Sequence, residues 1–584
     1  MKYRAFRKLL ARLLALCLLL SGLPALAEDD AIDVGDVSVE DDFAVAVDVQ
    51  KNETEVNVPD KEPQSSEASD VTVNAGSVTN TTETTTSPKD DKAVFGVVVD
   101  NATDDKNVTV NAGNVNVSAT ITVDEQAEDD DGGGDKNDGG DDKNDGDDNN
   151  DGDNKNDGDN KNDGGDNNDA GNDDKNDGDD DGDDDGDDDG DEDGDDDDDD
   201  GDDDEYGGPK SEVYGVNVNA WTEWQDSLSE PGQNSNLTSA HVNGDVNVTG
   251  EADRPGKAAG ISGSAHGNDV EISVSGDVSA TGKGGMSAVG IDGYSETGIY
   301  YNDAPDGESE HANHEQRRPG DAKLSVEGNV KAESEHEDAT AVNATGEGGS
   351  LEVNVGGNAT AISTIGDATG VQASANMGGK TMDREGEEDS YKESSTNVPG
   401  AVKVSVAGDV NAQGKAFTKG ASSNVEGSSA EMNLGGNVSA VSSEEEAEGV
   451  HVWAGTGRTS SKSEGQSDPR KETEQSEFEG SEANVTVKGD VKAQGKTGAV
   501  GVDATGDGSS VNVVIEGGIT AVTDEYWAEA LIANAYTGGT AVNREEGSGY
   551  NKESSECEPG EVNAAVKGDV KAEGQSAGGI SVEA

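Results

Sequence analysis

Cysteine is all but missing from this chain. Only Cys17 and Cys557 occur among 584 residues, and Cys17 falls in a leader, so no internal disulfide is available and a disulfide scaffold is excluded. Cys557 reads as an incidental exposed thiol, the alternative being an intermolecular bridge. Aromatic residues make up 3% and hydrophobic residues 30%, against about 45–50% apolar in an ordinary globular domain. Length alone suggests three or four domains, but that apolar supply cannot fill conventional cores throughout. Basic residues are scarce as well: Lys+Arg 40 against Asp+Glu 128 leaves a formal net charge of −88. A nucleic-acid binder is excluded by that sign. Long apolar runs are absent except near the start, which excludes a multi-pass membrane protein.

That single run belongs to a leader over residues 1–27. Lys2, Arg4, Arg7, Lys8 and Arg12 give a positive start, and Leu13 to Leu20 form the apolar stretch. Ala25-Leu26-Ala27 then supplies small residues before Glu28, the pattern of a secretory signal peptide. The stretch is too short for a membrane span and is followed by Pro24. Leu16 before Cys17 argues against lipidation. The expectation is a secreted or cell-surface protein with no membrane span in its mature chain.

Residues 124–206 are an Asp/Gly/Asn-rich tract. Between Glu128 and Glu205 stand about 43 acidic residues and about five lysines, with almost no apolar side chain. Nothing there can be ordered by burial, so the tract is expected to be disordered and extended by its own charge. Its charges lie closer together than the roughly 8 Å Debye length of physiological salt, so it gathers divalent cations. Asp181, Asp183, Asp185 and Glu192 satisfy D-x-D-x-D-G-x₅-E, a calcium-loop pattern. In a run of Asp and Gly that pattern arises by chance, position eight is Asp188 rather than an apolar residue, and no amphipathic helix flanks it. Asp147, Asn149 and Asp151, followed by Gly152, resemble the calcium repeats of thrombospondin type-3 and dockerin modules. That resemblance implies calcium ligands at those three residues, although Lys155 and Lys161 stand where the next loops would need acids. No cofactor is required by anything in the sequence. Calcium is the one it admits, taken up weakly at about 10⁻⁴–10⁻³ M, with a plain solvated spacer as the alternative.

Residues 207–584 repeat. A motif V-x-V-x-G-[DN]-V-x-A recurs around Gly244, Gly276, Gly328, Gly357, Gly408, Gly436, Gly489, Gly517 and Gly568. The intervals are about 32, 52, 29, 51, 28, 53, 28 and 51 residues, so short and long units alternate with a pair period of about 80. Within a unit the apolar period is two, as in Val402, Val404 and Val406, then Val410 and Ala412. That is the signature of half-buried strands. Gly408-Asp409 is expected to supply a positive φ at the corner. One unit carries too thin an apolar row to fold alone, whereas stacked copies cover each other's rows and satisfy the strand edges. The expected fold is therefore all-β, a β-solenoid of stacked units with charged loop insertions. The long units hold such insertions, for example "MDREGEEDSYKESSTNVPG", expected as charged loops leaving one side and serving either as a binding face or as solvated decoration. Residues 28–123 carry the motif in weaker form around Gly35, Gly76 and Gly113, a degenerate repeat region.

On this "GDV-x-A-x-G" periodicity the chain resembles the right-handed β-helical repeat regions of bacterial surface adhesins and autotransporter passengers, which implies a right-handed parallel β-helix. The resemblance implies a structural or adhesive role with glycans or other surface proteins as partners. β-Helices also host polysaccharide-active enzymes, which cluster Asp residues with Arg or His nearby. His311 and His314 lie three apart in a charged segment, and His241, His266, His336 and His451 are scattered. No nucleophile elbow, phosphate loop or zinc motif occurs, so no catalysis is expected. Trp453 and Trp527 either stack on sugars or cover the side of the stack. The sequence ends at "GGISVEA" within a unit, which raises the expectation of a longer natural chain. An extracellular calcium-sequestering or mineral-associated matrix protein is the alternative function.

Overall fold

The computed structural model describes residues 30–50, 53–103, 106–124, 210–221, 236–300, 315–387, 390–467, 470–547 and 550–584. Among them the regular structure is strand, with no helix. The acidic tract lies outside the described residues, and so does the leader.

The strands form three parallel ladders that the chain visits in turn. A representative unit runs Ala401–Val406, Val410–Gly414 and Thr418–Glu426. Each of its strands pairs in parallel with the corresponding strand of the next unit, Ser429–Leu434, Val438–Ser442 and Glu446–Gly455. The first ladder extends from 30–33 to Glu561–Val566. The second extends from 37–39 to Val570–Glu573. The third extends from Phe43–Gln50 to Ser576–Glu583. The weaker N-terminal motifs therefore occupy the same ladders as the strong ones. Val115–Val123 pairs with 246–252 and Ser211–Trp221 with 256–266. Residues 125–209 thus interrupt one unit between its second and third strands rather than joining two separate stacks.

Alternation in the sequence becomes alternation of burial. Val402, Val404, Val406, Val410 and Ala412 point inward and are buried, with their outward neighbours exposed or half-buried. Short side chains suffice because each inward row lies against the equivalent row one strand spacing away, about 4.8 Å.

The corner between the first and second ladders explains the Gly-[Asp/Asn] pair, and corrects one expectation. Gly408 is not among the residues with positive φ. It is glycine because a Cβ there would come within 2.8 Å of the Gly357 carbonyl oxygen on the preceding unit. The following residue links the units: Asp409 N–H donates to Asn358 Oδ1 at 2.8 Å, and Asp409 Oδ1 accepts from Asn437 N–H at 2.7 Å. Asn437 Oδ1 accepts in turn from Asp490 N–H at 2.9 Å. The unit spacings seen in sequence are the spans of these bonds.

Positive φ is used instead where a short unit turns from the third ladder into the next first-ladder strand, at Gly427 (φ 58) and Gly508 (φ 59). In the long units that corner opens into the insertions, which are paired strands rather than loops. Gly378–Glu387 pairs with Ser390–Val398, Gly457–Ser467 with Arg470–Glu479, and 537–547 with Tyr550–Pro559, all antiparallel. Successive hairpins then pair with one another, 390–396 with 460–466 and 471–477 with 541–547. A second, antiparallel sheet results. Its residues are largely Ser, Thr, Glu and Lys, which cannot form a core but satisfy their backbone groups through each other because the hairpins recur at every second unit.

Candidate functional site

The outward side of the third ladder carries the densest polar chemistry among the described residues. Its geometry starts from a glycine that recurs inside the strands, as at Gly420, Gly449 and Gly501. A Cβ at Gly420 would lie 2.5 Å from both Gly449 O and Val438 Cγ1, so the backbone there runs against the neighbouring strands. The pairing steps over this residue: Glu448 faces Val500 and Val450 faces Val502. In a regular strand, residues three apart face opposite sides. The irregularity puts Glu448 and His451 on one side, with His451 Nδ1 2.9 Å from Glu448 Oε1.

Asp503, opposite His451 on the next strand, places Oδ2 at 3.9 Å from the same nitrogen. Glu448 is 6% exposed, and its other oxygen lies 3.9 Å from Lys419 Nζ. Burial, together with the charge of Glu448, pushes the Asp503 carboxyl above the usual aspartate range against the pull of His451. Glu446 is raised for the same two reasons. Glu448, His451 and Asp503 offer ligand atoms that all lie within 4.8 Å of one another, so two carboxylates and one imidazole converge.

Two other polar groups on this ladder are internally satisfied. Lys257 Nζ lies 2.9 Å from Asp292 Oδ2 and 5.1 Å from the Tyr214 ring centre, while Asn343 Nδ2 donates to Asp292 Oδ1 at 2.9 Å. Burial alone would pull Lys257 down, but Asp292 and Tyr214 hold it above the usual lysine range. Burial pushes Tyr214 up to about 12. Nearer the hairpins, the Tyr294 hydroxyl lies 2.7 Å from Glu296 Oε2 and 2.9 Å from Glu347 Oε2, and His266 Nδ1 contacts Glu296 Oε1 at 2.5 Å. Burial and these two carboxylates drive the Tyr294 phenol well above its ordinary range.

The residues expected from sequence divide as follows. Asp147, Asn149, Asp151, Asp181, Asp183, Asp185 and Glu192 lie outside the described residues, as do His311 and His314. Trp453 and Trp527 both belong to the third ladder but at opposite ends of its strands, so they form no common stacking platform. Each covers a glycine: a Cβ at Gly455 would meet the Trp453 ring at Cη2 and one at Gly498 would meet Trp527 Cε2 at 3.0 Å. His241 is bonded to Ser273, with Nδ1 and Oγ 2.6 Å apart. The His451 group was not anticipated. Aligning units on the in-strand glycine would have set "EGVHV" over "VGVDA" and Asp503 beside His451.

No family model, curated protein or solved structure matches the chain.

Proposed function

We propose that the chain is a right-handed β-solenoid exported to the cell surface or medium, with a structural or adhesive role and no catalytic one. The observation that carries this reading is the continuity of the three parallel ladders, flanked at one corner by an antiparallel sheet of polar hairpins. A stack of this kind gains stability from each added unit without a conventional core. Hairpins recurring on one side present a repeated polar surface suited to glycans or other surface proteins. The net charge of −88 keeps such a chain soluble and directs it away from nucleic acid. The acidic tract serves in this reading as a flexible, calcium-gathering excursion.

Export is tested by sequencing the N-terminus of the secreted product, which should begin at Glu28; an uncleaved leader contradicts it. Adhesion is tested by applying the full chain to glycan and surface-protein arrays. Binding that is lost when the hairpin 457–479 is replaced by a short corner supports the reading, and no binding on any array opposes it. The composition of residues 124–206 favours a second reading, calcium sequestration. Calorimetric uptake of many calcium ions, accompanied by ordering of the tract, would favour it.

A further inference from the structure

We propose that Glu448, His451 and Asp503 bind one divalent transition-metal ion of the zinc class, clasping two successive strands of the third ladder. The donors are of the right kind: two carboxylate oxygens and an imidazole nitrogen, contributed by Glu446–Gly455 and Gly498–Asp507. Zinc bonds of about 2.0–2.2 Å to nitrogen and oxygen set tetrahedral ligands about 3.4 Å apart. The two separations from His451 Nδ1, 2.9 Å and 3.9 Å, lie on either side of that value, and all three donors lie within 4.8 Å of one another, so side-chain rotations can bring them to it. Strand backbones paired on both sides hold the donors in place, which lowers the ordering cost of binding. Three protein ligands leave outward positions for water or for a donor from a partner.

The repeat supplies its own control. In the column of Glu448 the preceding strands carry Lys419, Thr369 and Thr340, and in the column of His451 they carry Ser422, Gln372 and Asn343. Where that second column holds another aspartate, Asp292, a lysine and an asparagine satisfy it. Asp503 instead has Thr505 Oγ1 at 3.4 Å and the imidazole, with Glu448 and Glu529 adding negative charge around it. Lys419 is the single lysine that contacts Glu448 among the described residues. A divalent cation balances this excess. The imidazole directs the choice towards zinc-like ions, because calcium takes oxygen ligands.

The test is a cobalt(II) titration of the full chain followed by visible absorption, with millimolar calcium present to occupy the acidic tract. The expected result is one equivalent of cobalt with ligand-field bands, displaced by one equivalent of zinc. His451→Ala and the shape-preserving Asp503→Asn should each weaken it by at least about tenfold, with unchanged far-ultraviolet dichroism, while His336→Ala should leave it alone. Equal cobalt bands in Asp503→Asn and the parent, or no equivalent that survives the calcium, overturns the proposal.

Discussion

From Asp36 to Asp490, the Asp or Asn after a corner glycine holds the backbone of the unit that follows it. Asp409 accepts the Asn437 N–H at 2.7 Å and its side-chain amide at 3.2 Å. Replacing Asp409 by alanine removes both bonds, and equilibrium urea unfolding should show a loss of about 0.5–1.5 kcal/mol. Asp409→Asn keeps the accepting oxygen and should cost less. The in-strand glycines answer to packing rather than hydrogen bonding. Gly420→Ala drives a methyl group against Gly449 O and Val438 Cγ1, both 2.5 Å away. It should cost about 1–3 kcal/mol, whereas Gly539→Ala, with nothing within 4 Å, should stay within about 0.5 kcal/mol. At this scale the sequence was partly legible. The Val rows announced themselves, because a period of two is set by one strand alone. The reason for Gly408 is not legible locally, since the Gly357 carbonyl it makes room for belongs to a residue 51 positions earlier.

Hairpins are the elements that sequence pattern disguised. Their strands lack alternating valine, and what orders them is pairing with hairpins from neighbouring long units. Replacing 457–479 by a corner like that at Gly427 should leave the three ladders intact by far-ultraviolet dichroism. Hydrogen exchange should then accelerate in 390–396 and 541–547, which lose their partners 460–466 and 471–477. Unchanged protection there would contradict the edge-to-edge pairing. The His451 group was hidden for a related reason. His451 and Asp503 are 52 positions apart in number but adjacent in register, and an irregular strand brings Glu448 to their side.

For the whole molecule, charge and stacking oppose each other. Asp100, Asp367, Glu446 and Asp503 are all raised, burial being the largest cause in each. Groups raised in the folded state hold protons that the unfolded chain has already released. Their contribution is present below the ordinary carboxylate range and falls away as pH climbs through the raised values. Glu431 and Glu516, lowered by Asn433 and Lys403 and by Lys567 respectively, act in the opposite sense from exposed positions. Self-repulsion of the −88 charge reinforces the first group. Acidification from about pH 7 to about pH 5 should therefore raise the thermal midpoint, read by dichroism, and a falling midpoint would contradict this balance.

The N-terminal and C-terminal repeats share one set of ladders, although residues 125–209 stand between them in the sequence. Asn116 and Asn247 test it directly, since they lie 131 positions apart yet Asn247 Nδ2 donates to Asn116 Oδ1 at 3.2 Å. Both are outward-facing, so spin labels can be attached at Asn116→Cys and Asn247→Cys in the chain from residue 28 with Cys557→Ser. Strong dipolar broadening in the continuous-wave spectrum, as expected for labels on adjacent strands about 4.8 Å apart, is the predicted result. Spectra equal to the sum of the two single-label spectra would contradict the pairing of Val115–Val123 with 246–252.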